Sequence, residues 1–436
     1  MVNFNLISFT TAFRLWQKTA SILVGLLFLA SSLLAQTTNW TGASNSDWHD
    51  AGNWDNGVPT ASSVAVLSSG TFFPAVRLGT SMVAQKVTIG GSMTLTIDIG
   101  GTLTIDGSPD QGILNNGTIN NNGTLNIDNT GENGIQNSAT GSITNAGNIN
   151  IGTNGGALNI GNHGILNQAG GTFTNSTEGV LTIEDTDKYG ISNSGTLENA
   201  GTLNTNGTGW AGLINDGATT NDGIMNIDDS GSNGTANFRN GINNNGSFTN
   251  NNEINIGLNS AAGNIRGYGL LNNGNFVNSG ELIVRNTYQS GIQVNSFSAF
   301  TNNSNGTITL PDIPTAGGLP SLFNSGSFNN SGLVNTLSYR SIGTGALHNL
   351  PCGVFVISNS ILTAVNSTII NDGFLEIPGQ GNNMDGTHIN NGVVRTGAIT
   401  LNNFTNNEII LHKTAVTSCS RPSALHLNWA QMEPLP

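Results

Sequence analysis

Short runs in which every second residue is apolar or asparagine fill the middle of this chain. Residues 112–133 read GILNNGTINNNGTLNIDNTGEN and contain three such segments, punctuated by Asn-Gly dipeptides. Alternation with a period of two predicts a β-strand with one buried face. An Asn-Gly pair predicts a tight corner, because both residues tolerate the positive φ that a tight turn needs. This phrase therefore predicts three short strands joined by corners.

The phrase occurs in seven consecutive copies over residues 112–291, and each copy begins with a glycine. By subtraction of consecutive start positions, the spacings are 22, 30, 26, 22, 29, 28 and 22 residues. Self-similarity at this period is typical of a solenoid, in which each repeat stacks on the previous one. The copies start at Gly112, Gly134, Gly164, Gly190, Gly212, Gly241 and Gly269, and the next glycine in the series is Gly291.

Alternation assigns two inward positions to each strand of the phrase. Stacked coils would place asparagine on asparagine, so that each buried amide bonds to the next coil instead of costing about 1–3 kcal/mol unpaired. A disordered Asn/Gly-rich tract, the alternative, would not keep an apolar residue in register in nearly every strand. We therefore predict an all-β fold, a right-handed parallel β-helix (solenoid) of roughly a dozen three-strand coils. The first copy supplies the inward pairs Ile113/Asn115, Ile119/Asn121 and Leu125/Ile127.

Three further segments flank or extend the regular copies. Residues 85–412 are the predicted parallel β-helix, which is most regular over 112–291. Residues 36–84 are a predicted Trp-rich N-terminal cap, whose tryptophans would cover the open edge of the first coil. Residues 413–436 abandon the phrase, and this irregular C-terminal tail is either an unusual cap or the mark of a truncated or frame-altered product.

Residues 1–35 have the pattern of a secretory signal peptide. Arg14 and Lys18 precede an apolar run over residues 20–34, and cleavage is expected after Ala35. The run is too short for a comfortable transmembrane helix, so we predict no membrane insertion once it is removed. The mature protein is expected to be secreted, either extracellular or displayed on the cell surface.

Residues 38–66 read TNWTGASNSDWHDAGNWDNGVPTASSVAV. The pattern W-x-G, W, A-x-N-W and G-V-P is carried by Trp40, Gly42, Trp48, Ala51, Asn53, Trp54, Gly57, Val58 and Pro59. This segment resembles the tryptophan-rich opening of many large bacterial surface proteins with β-helical bodies. The repeat style of the body is similar to the passenger regions of autotransporter and filamentous-haemagglutinin-like adhesins. Both resemblances imply an exported, adhesin-like bacterial protein.

The charge of the chain excludes one class of partner. Only 8% of the residues are charged, and the formal net charge is −13. Because there is no basic patch to neutralise phosphate, we predict no nucleic-acid partner.

Cys352 and Cys419 are the two cysteines of the chain. They could form a disulfide in an exported protein, and the sequence leaves this open. They do not make a metal site.

The candidate binding side follows from the gap between the third strand and the next copy's glycine. This gap measures 6, 12, 6, 6, 13, 12 and 6 residues through the seven copies, so most inserted length falls at one corner. Aromatic rings at that corner either stack on the sugars of an extended chain or cover the corner hydrophobically. An extracellular glycan, or a host or matrix surface, is the expected partner. The candidate binding residues are Tyr189, Trp210, Tyr268 and Tyr288, and Phe238 belongs to the same series.

Acidic residues gather at the same corner, notably Glu184, Asp185, Asp187, Asp228 and Asp229. Paired carboxylates can act as acid and base in glycoside cleavage, and clustered carboxylates can hold calcium. Acids exposed on turns are nevertheless the ordinary case, and the histidines are scattered without metal-ligand spacing. We predict no catalytic residues, no metal site and no cofactor, with calcium at the acidic turns as the one exception to consider. The alternative is a polysaccharide-active β-helix enzyme, a lyase or glycoside hydrolase.

Overall fold

The chain folds into stacked coils of short β-strands with almost no helix. The computed structural model describes residues 36–154, 159–231, 239–258, 265–312, 318–377, 382–396, 399–401 and 404–406. The predicted signal peptide, 1–35, and the tail, 413–436, lie outside these residues. Cys419 lies in that tail, so the pairing considered for Cys352 and Cys419 falls outside the described residues. Within the described ranges there are 43 strands and one short 3-10 helix, Ala51–Asn53.

The strands are numbered in chain order. The N-terminal strands are β1 (Gln36–Asn39), β2 (Ser63–Leu67), β3 (Ala75–Val76), β4 (Ser81–Ala84), β5 (Lys86–Ile89), β6 (Thr94–Ile97) and β7 (Thr102–Asp106). The central strands are β8 (Ile113–Asn115), β9 (Thr118–Asn121), β10 (Thr124–Asp128), β11 (Ile135–Asn137), β12 (Ser142–Asn145), β13 (Asn148–Ile151), β14 (Ile165–Asn167), β15 (Thr172–Asn175), β16 (Val180–Thr186), β17 (Ile191–Asn193), β18 (Thr196–Asn199), β19 (Thr202–Thr208), β20 (Leu213–Asn215), β21 (Ala218–Asn221), β22 (Ile224–Ile227), β23 (Ile242–Asn244), β24 (Ser247–Asn250), β25 (Glu253–Ile256), β26 (Leu270–Asn272), β27 (Asn275–Asn278), β28 (Glu281–Val284), β29 (Ile292–Val294), β30 (Ala299–Asn302) and β31 (Thr307–Leu310). The C-terminal strands are β32 (Leu322–Asn324), β33 (Ser327–Asn330), β34 (Leu333–Ser341), β35 (Ala346–Asn349), β36 (Val354–Thr363), β37 (Thr368–Asn371), β38 (Phe374–Ile377), β39 (Asn382–Met384), β40 (Thr387–Asn390), β41 (Val393–Thr396), β42 (Ile399–Leu401) and β43 (Phe404–Asn406).

Three rows of parallel strands make up the solenoid. From β2 to β33 the strands repeat in threes, so that β8 belongs to the first row, β9 to the second and β10 to the third. Each strand pairs in parallel with its counterpart in the next coil, as β8 does with β11 and β9 with β12. The structure is a parallel β-solenoid of about 13 turns, which confirms the predicted fold class. We call the turns from the first to the second row, from the second to the third and from the third back to the first the first, second and third corners.

The second row forms a sheet of 15 strands, and the other two rows together form a sheet of 28 strands. These two rows join because β34 and β36 each continue from the third row into the first. β34, for example, pairs with β31 from Leu333 to Thr336 and with β32 from Tyr339 to Ser341. The third corner is therefore flattened into continuous strand in these two coils.

The register places like residues on like residues along the core. Ile113 pairs with Ile135, and Ile135 pairs with Ile165, all fully buried in the first row. In the second row, four buried phenylalanine rings stack with centroids 4.8–4.9 Å apart and interplanar angles of 3–14°. Offset stacking of aromatic rings adds to the free energy gained by burying their surface. The stacked rings are Phe248, Phe276, Phe300 and Phe328.

Parallel stacking already begins inside the Trp-rich segment, where β1 pairs with β2 and β2 pairs with β5. Trp40, Trp48 and Trp54 are buried and belong to the same hydrophobic core as the coils. Trp54 meets Trp40 and Trp48 edge to face, with ring centroids 5.0 and 4.8 Å apart. The Nε1 of Trp54 donates to the carbonyl of Trp48 over 2.8 Å. The tryptophan cluster is thus packed by ring contacts, and the Nε1 atoms of Trp40 and Trp54 donate to backbone carbonyls, whereas the buried Nε1 of Trp48 has no hydrogen-bond partner.

Two columns of buried asparagines run along the rod, as the alternation predicted. The second-row column begins at Asn121, and from there to Asn390 each Nδ2 donates to the Oδ1 of the next coil over 2.7–2.9 Å. The first-row column connects Asn115 to Asn272 in the same way over 2.8–2.9 Å. Val294 takes the next place in that column and ends it. The stacked amides satisfy one another, so their burial carries no unpaired polar group at each step.

The corner glycines are required for a reason different from the one expected. Gly123 and Gly147 are each the last residue of a second corner, just before a third-row strand, and neither has a positive φ. A Cβ on Gly147 would lie 2.1 Å from the carbonyl oxygen of Gly123, and a Cβ on Gly123 would lie 2.4 Å from that of Asp98. The prediction that an Asn-Gly corner needs a positive φ was therefore wrong at Asn122-Gly123. Glycine is needed because adjacent coils approach too closely for any side chain.

Candidate binding surface at the third corner

The three corners differ in length. From β8 onward the first and second corners contain either two residues, such as 116–117 between β8 and β9, or four, such as 138–141 between β11 and β12. The third corner varies much more and includes residues 228–241 between β22 and β23. Most inserted residues therefore lie at the third corner, and the side chains there vary from coil to coil.

A left-handed residue opens the third corner in several coils. Asn129, Asp185, Asp229 and Asn286 have φ angles of 51°, 48°, 40° and 52°. Asparagine and aspartate enter this conformation more readily than other side chains. In each of these coils, the next residue along the chain is a buried serine or threonine. Thr130, for example, forms an isolated parallel β-bridge with Ile160 of the adjoining coil. This short ladder fixes the backbone ahead of the candidate aromatic residues.

Two of the four predicted binding residues come into contact, and a histidine joins them. The Tyr189 ring stacks on the His163 imidazole, with centroids 5.2 Å apart and an interplanar angle of 12°. Tyr189 also meets Trp210 edge to face at 5.3 Å. The Nζ of Lys188 lies 5.4 Å from the centre of the Trp210 ring, which is cation–π distance. We call His163, Tyr189 and Trp210 the ring cluster; its members come from three consecutive coils.

The four candidate aromatics differ in exposure. Tyr189 keeps 9% of its surface exposed, so it mainly covers the corner. Trp210 and Tyr268 are half-buried, and Tyr288 is 51% exposed. Burial raises the pKa of Tyr268 and of Tyr189, and the charge of Asp216 adds to the effect at Tyr189. Phe238, of the same series, lies outside the described residues.

Sequence analysis did not single out His163 from the other scattered histidines. Burial lowers the pKa of His163 to about 4, and the positive charge of Lys188 acts in the same direction. The imidazole is therefore neutral at neutral pH and packs as an aromatic ring. The signal that identifies it is its position directly before Gly164, because Tyr189 holds the same position before Gly190.

The acidic residues of this corner have separate structural settings. Asp185 and Asp229 supply the left-handed residue of their coils. Burial raises the pKa of Glu184, and the neighbouring charge of Asp185 adds to it. Asp128, which the sequence did not single out, is buried and accepts a 3.1 Å hydrogen bond from the Nδ2 of Asn159. Across the part of the chain that the structure describes, no group of three or more His, Cys, Asp or Glu side chains is arranged to hold a metal ion.

Comparison with known proteins gives no relative from which a role could be transferred. No protein-family model, no curated protein and no solved structure matches this chain. Among the described residues, no helix has the length and apolar character needed to cross a bilayer. The chemistry of the third corner is therefore the basis for a functional proposal.

Proposed function

We propose that this protein is a secreted or surface-displayed bacterial β-solenoid with a structural, adhesin-like role and no catalytic activity. Its third corner would contact an extended extracellular glycan, and weak contacts repeated along the rod would combine as avidity. The observation that best supports this proposal is the ring cluster, in which Tyr189 touches both His163 and Trp210. Successive coils lie about 4.8 Å apart, so the cluster extends along the rod as a chain-like ligand requires.

The aromatic residues of this surface differ in exposure, and we assign them different roles accordingly. Tyr189 would act as a support, because it is largely buried between the other two rings. The half-buried Trp210 and Tyr268 and the exposed Tyr288 would provide the contact surface. The solvent-exposed parts of aromatic rings suit the apolar side of a sugar ring, while the tyrosine hydroxyls can hydrogen-bond to its polar groups.

A glycan array probed with protein that starts at Gln36 tests the proposal. We expect binding to a polymeric glycan, weakened about tenfold or more by Tyr288→Ala or Trp210→Ala, because truncation removes an aromatic anchor. Phe73→Ala is a matched control, since Phe73 is 52% exposed and lies far along the chain from the third-corner aromatics. Unchanged binding by both third-corner variants would contradict the proposal, as would a complete lack of glycan binding.

The enzymatic alternative is tested in the same assay by mass spectrometry of the bound glycan. Under our proposal the glycan is recovered at its original length. Release of shortened products, abolished in the triple variant Glu184→Gln, Asp185→Asn and Asp187→Asn, would support a polysaccharide-active enzyme instead. The substitution Asp185→Asn is chosen because asparagine also tolerates the left-handed conformation at that position.

A further inference from the structure

Phe297 is the most exposed large apolar residue among the described ones. Its relative exposure is 106%, so its ring stands entirely in solvent. Its backbone is left-handed, with a φ of 66°. In an earlier coil the corresponding corner position is Gly170, which adopts a φ of 94° without a side chain. An aromatic residue that is both strained and exposed is unfavourable for folding, and such positions concentrate at functional sites.

The loop that carries Phe297 is firmly anchored. Ser298 Oγ donates to the carbonyl of Asn295 over 2.6 Å and to the carbonyl of Asn272 over 3.0 Å. The backbone N–H of Asn295 donates to the same Asn272 carbonyl over 2.9 Å. These bonds tie both ends of the loop to the preceding coil. The ring is thus presented by a fixed backbone, which reduces the entropy lost when a ligand binds.

A notch lies beside this ring at the first corner. The corner has four residues at 295–298, two at 325–326 and four at 342–345, so a short corner is flanked by two longer ones. The space left between them is a cavity of about 330 Å³, at the lower end of the range for small-molecule sites. The cavity is lined by Phe297, Ser298, Ala299, Ser325, Gly326, Ser327, Thr344 and Ala346.

The lining chemistry indicates a neutral, hydroxyl-rich ligand. None of the lining residues is charged. Ser327 is half-exposed and Thr344 is exposed, and in the described structure neither hydroxyl takes part in a side-chain hydrogen bond. Ser325 Oγ, in contrast, is committed to the carbonyl of Val294 at 3.0 Å. The notch therefore combines one aromatic wall with two available hydroxyl groups.

We propose that this notch is a separate binding subsite for one sugar ring of a neutral polysaccharide. The ring of Phe297 packs against the C–H face of the sugar, and the hydroxyls of Ser327 and Thr344 exchange hydrogen bonds with sugar hydroxyls. The subsite lies at the first corner and uses none of the third-corner aromatics. It therefore stands independently of the function proposed above.

Affinity electrophoresis in gels containing a galactomannan, a neutral β-glucan or dextran tests this proposal. We expect at least one of these polymers to retard the protein. Phe297→Ala and Phe297→Gly should each weaken the retardation about tenfold or more, because both remove the aromatic wall. Phe297→Tyr should keep it, because the ring remains. The glycine variant should unfold at the same or a higher temperature than the parent protein, since it relieves the left-handed strain.

One control separates this subsite from a general effect of exposed rings. Phe73→Ala removes an exposed aromatic that belongs neither to the notch nor to the third-corner surface. It should leave retardation by the neutral polymer unchanged. The proposal is overturned if none of the polymers retards the parent protein, or if Phe297→Ala binds as well as the parent. It is likewise overturned if Phe73→Ala weakens the retardation as much as Phe297→Ala does.

Discussion

Asn221, in the middle of the second-row column, shows what one buried amide contributes. Its Oδ1 accepts from Asn199 at 2.7 Å, and its Nδ2 donates to Asn250 at 2.8 Å and to the carbonyl of Glu253 at 2.9 Å. Asn226, in the same coil, is also bonded to asparagines in both neighbouring coils, but its side chain is only half-buried. The two residues have similar partners and differ in their access to water.

We predict that Asn221→Ala lowers the free energy of unfolding by about 2–4 kcal/mol, because it removes one hydrogen bond from each of the buried amides Asn199 and Asn250 and opens a cavity. Asn226→Ala should cost less than about 1 kcal/mol, since water replaces the lost bonds. Urea unfolding followed by circular dichroism measures both. Equal losses would contradict the view that burial, and not the hydrogen bond itself, sets the cost.

His163 gives the ring cluster a pH dependence. The folded pKa is about 4, below the ordinary value of 6.5, so the unfolded state binds the proton more tightly. The contribution to stability is complete above pH 6.5 and is lost as pH falls toward 4, amounting to about 3 kcal/mol. His388, whose pKa burial also lowers to about 4, adds a second contribution of the same sign.

We predict that His163→Asn reduces the fall in thermal stability between pH 6.5 and pH 5. Asparagine is the natural replacement, because Asn133 and Asn240 hold the equivalent position in other coils. Thermal unfolding at several pH values provides the measurement. A remaining slope that disappears only when His388 is also replaced is the expected pattern, whereas an unchanged slope in the single variant would contradict the assignment.

At the scale of the strand, alternation was enough to predict the core positions. Ile113 with Asn115 and Ile119 with Asn121 were identified from a period of two, and the observed register stacks them as expected. The role of the corner glycines could not be predicted, because it depends on how close the next coil lies. That distance is a property of the stack and is not encoded within a single phrase.

We predict that Gly147→Ala lowers stability by about 3 kcal/mol or more, because the new Cβ would overlap the carbonyl of Gly123 at 2.1 Å. Gly107→Ala is the matched comparison, since Gly107 has a φ of 73° and no atom near its Cβ position. Its cost should be about 1 kcal/mol, the strain of a left-handed alanine. Chemical unfolding of both variants measures the difference, and the reverse order would refute the close-approach explanation.

The candidate site was only partly predictable from the strand pattern. The sequence placed Tyr189, Trp210, Tyr268 and Tyr288 at one corner, but the burial of Tyr189 depends on His163 and Trp210 from adjacent coils. Phe297 escaped notice because the sequence around it looks like an ordinary polar loop, and its exposure follows from a two-residue insertion at the first corner. Ring contacts across coils and loop projection are tertiary properties, which alternation does not report.

At the scale of the whole molecule, each coil touches only its neighbours, so a solenoid should tolerate the loss of one complete coil. We predict that deletion of residues 190–211, a length of 22 residues, leaves a folded rod. β14 would then pair with β20, which carries the same apolar residue and asparagine pattern. Circular dichroism per residue should be unchanged, and the thermal midpoint should shift by no more than about 5 °C.

Deletion of residues 190–200, about half a coil, is the control. It removes one first-row strand and one second-row strand but leaves the third-row strand β19, so the stacking register of the columns is broken. This variant should lose cooperative unfolding and β-sheet signal. If both deletions behaved alike, the coil would not be the unit of assembly.

The asparagine columns also give the rod a direction. Every amide in the second-row column donates toward the C-terminal coil, and at its first member the Oδ1 of Asn121 has no hydrogen-bond partner. Turning over one amide would set nitrogen against nitrogen on one side and oxygen against oxygen on the other. The orientation of the first amide therefore fixes the orientation of every later amide in the column. A molecule assembled from near-identical coils thus has two chemically different ends.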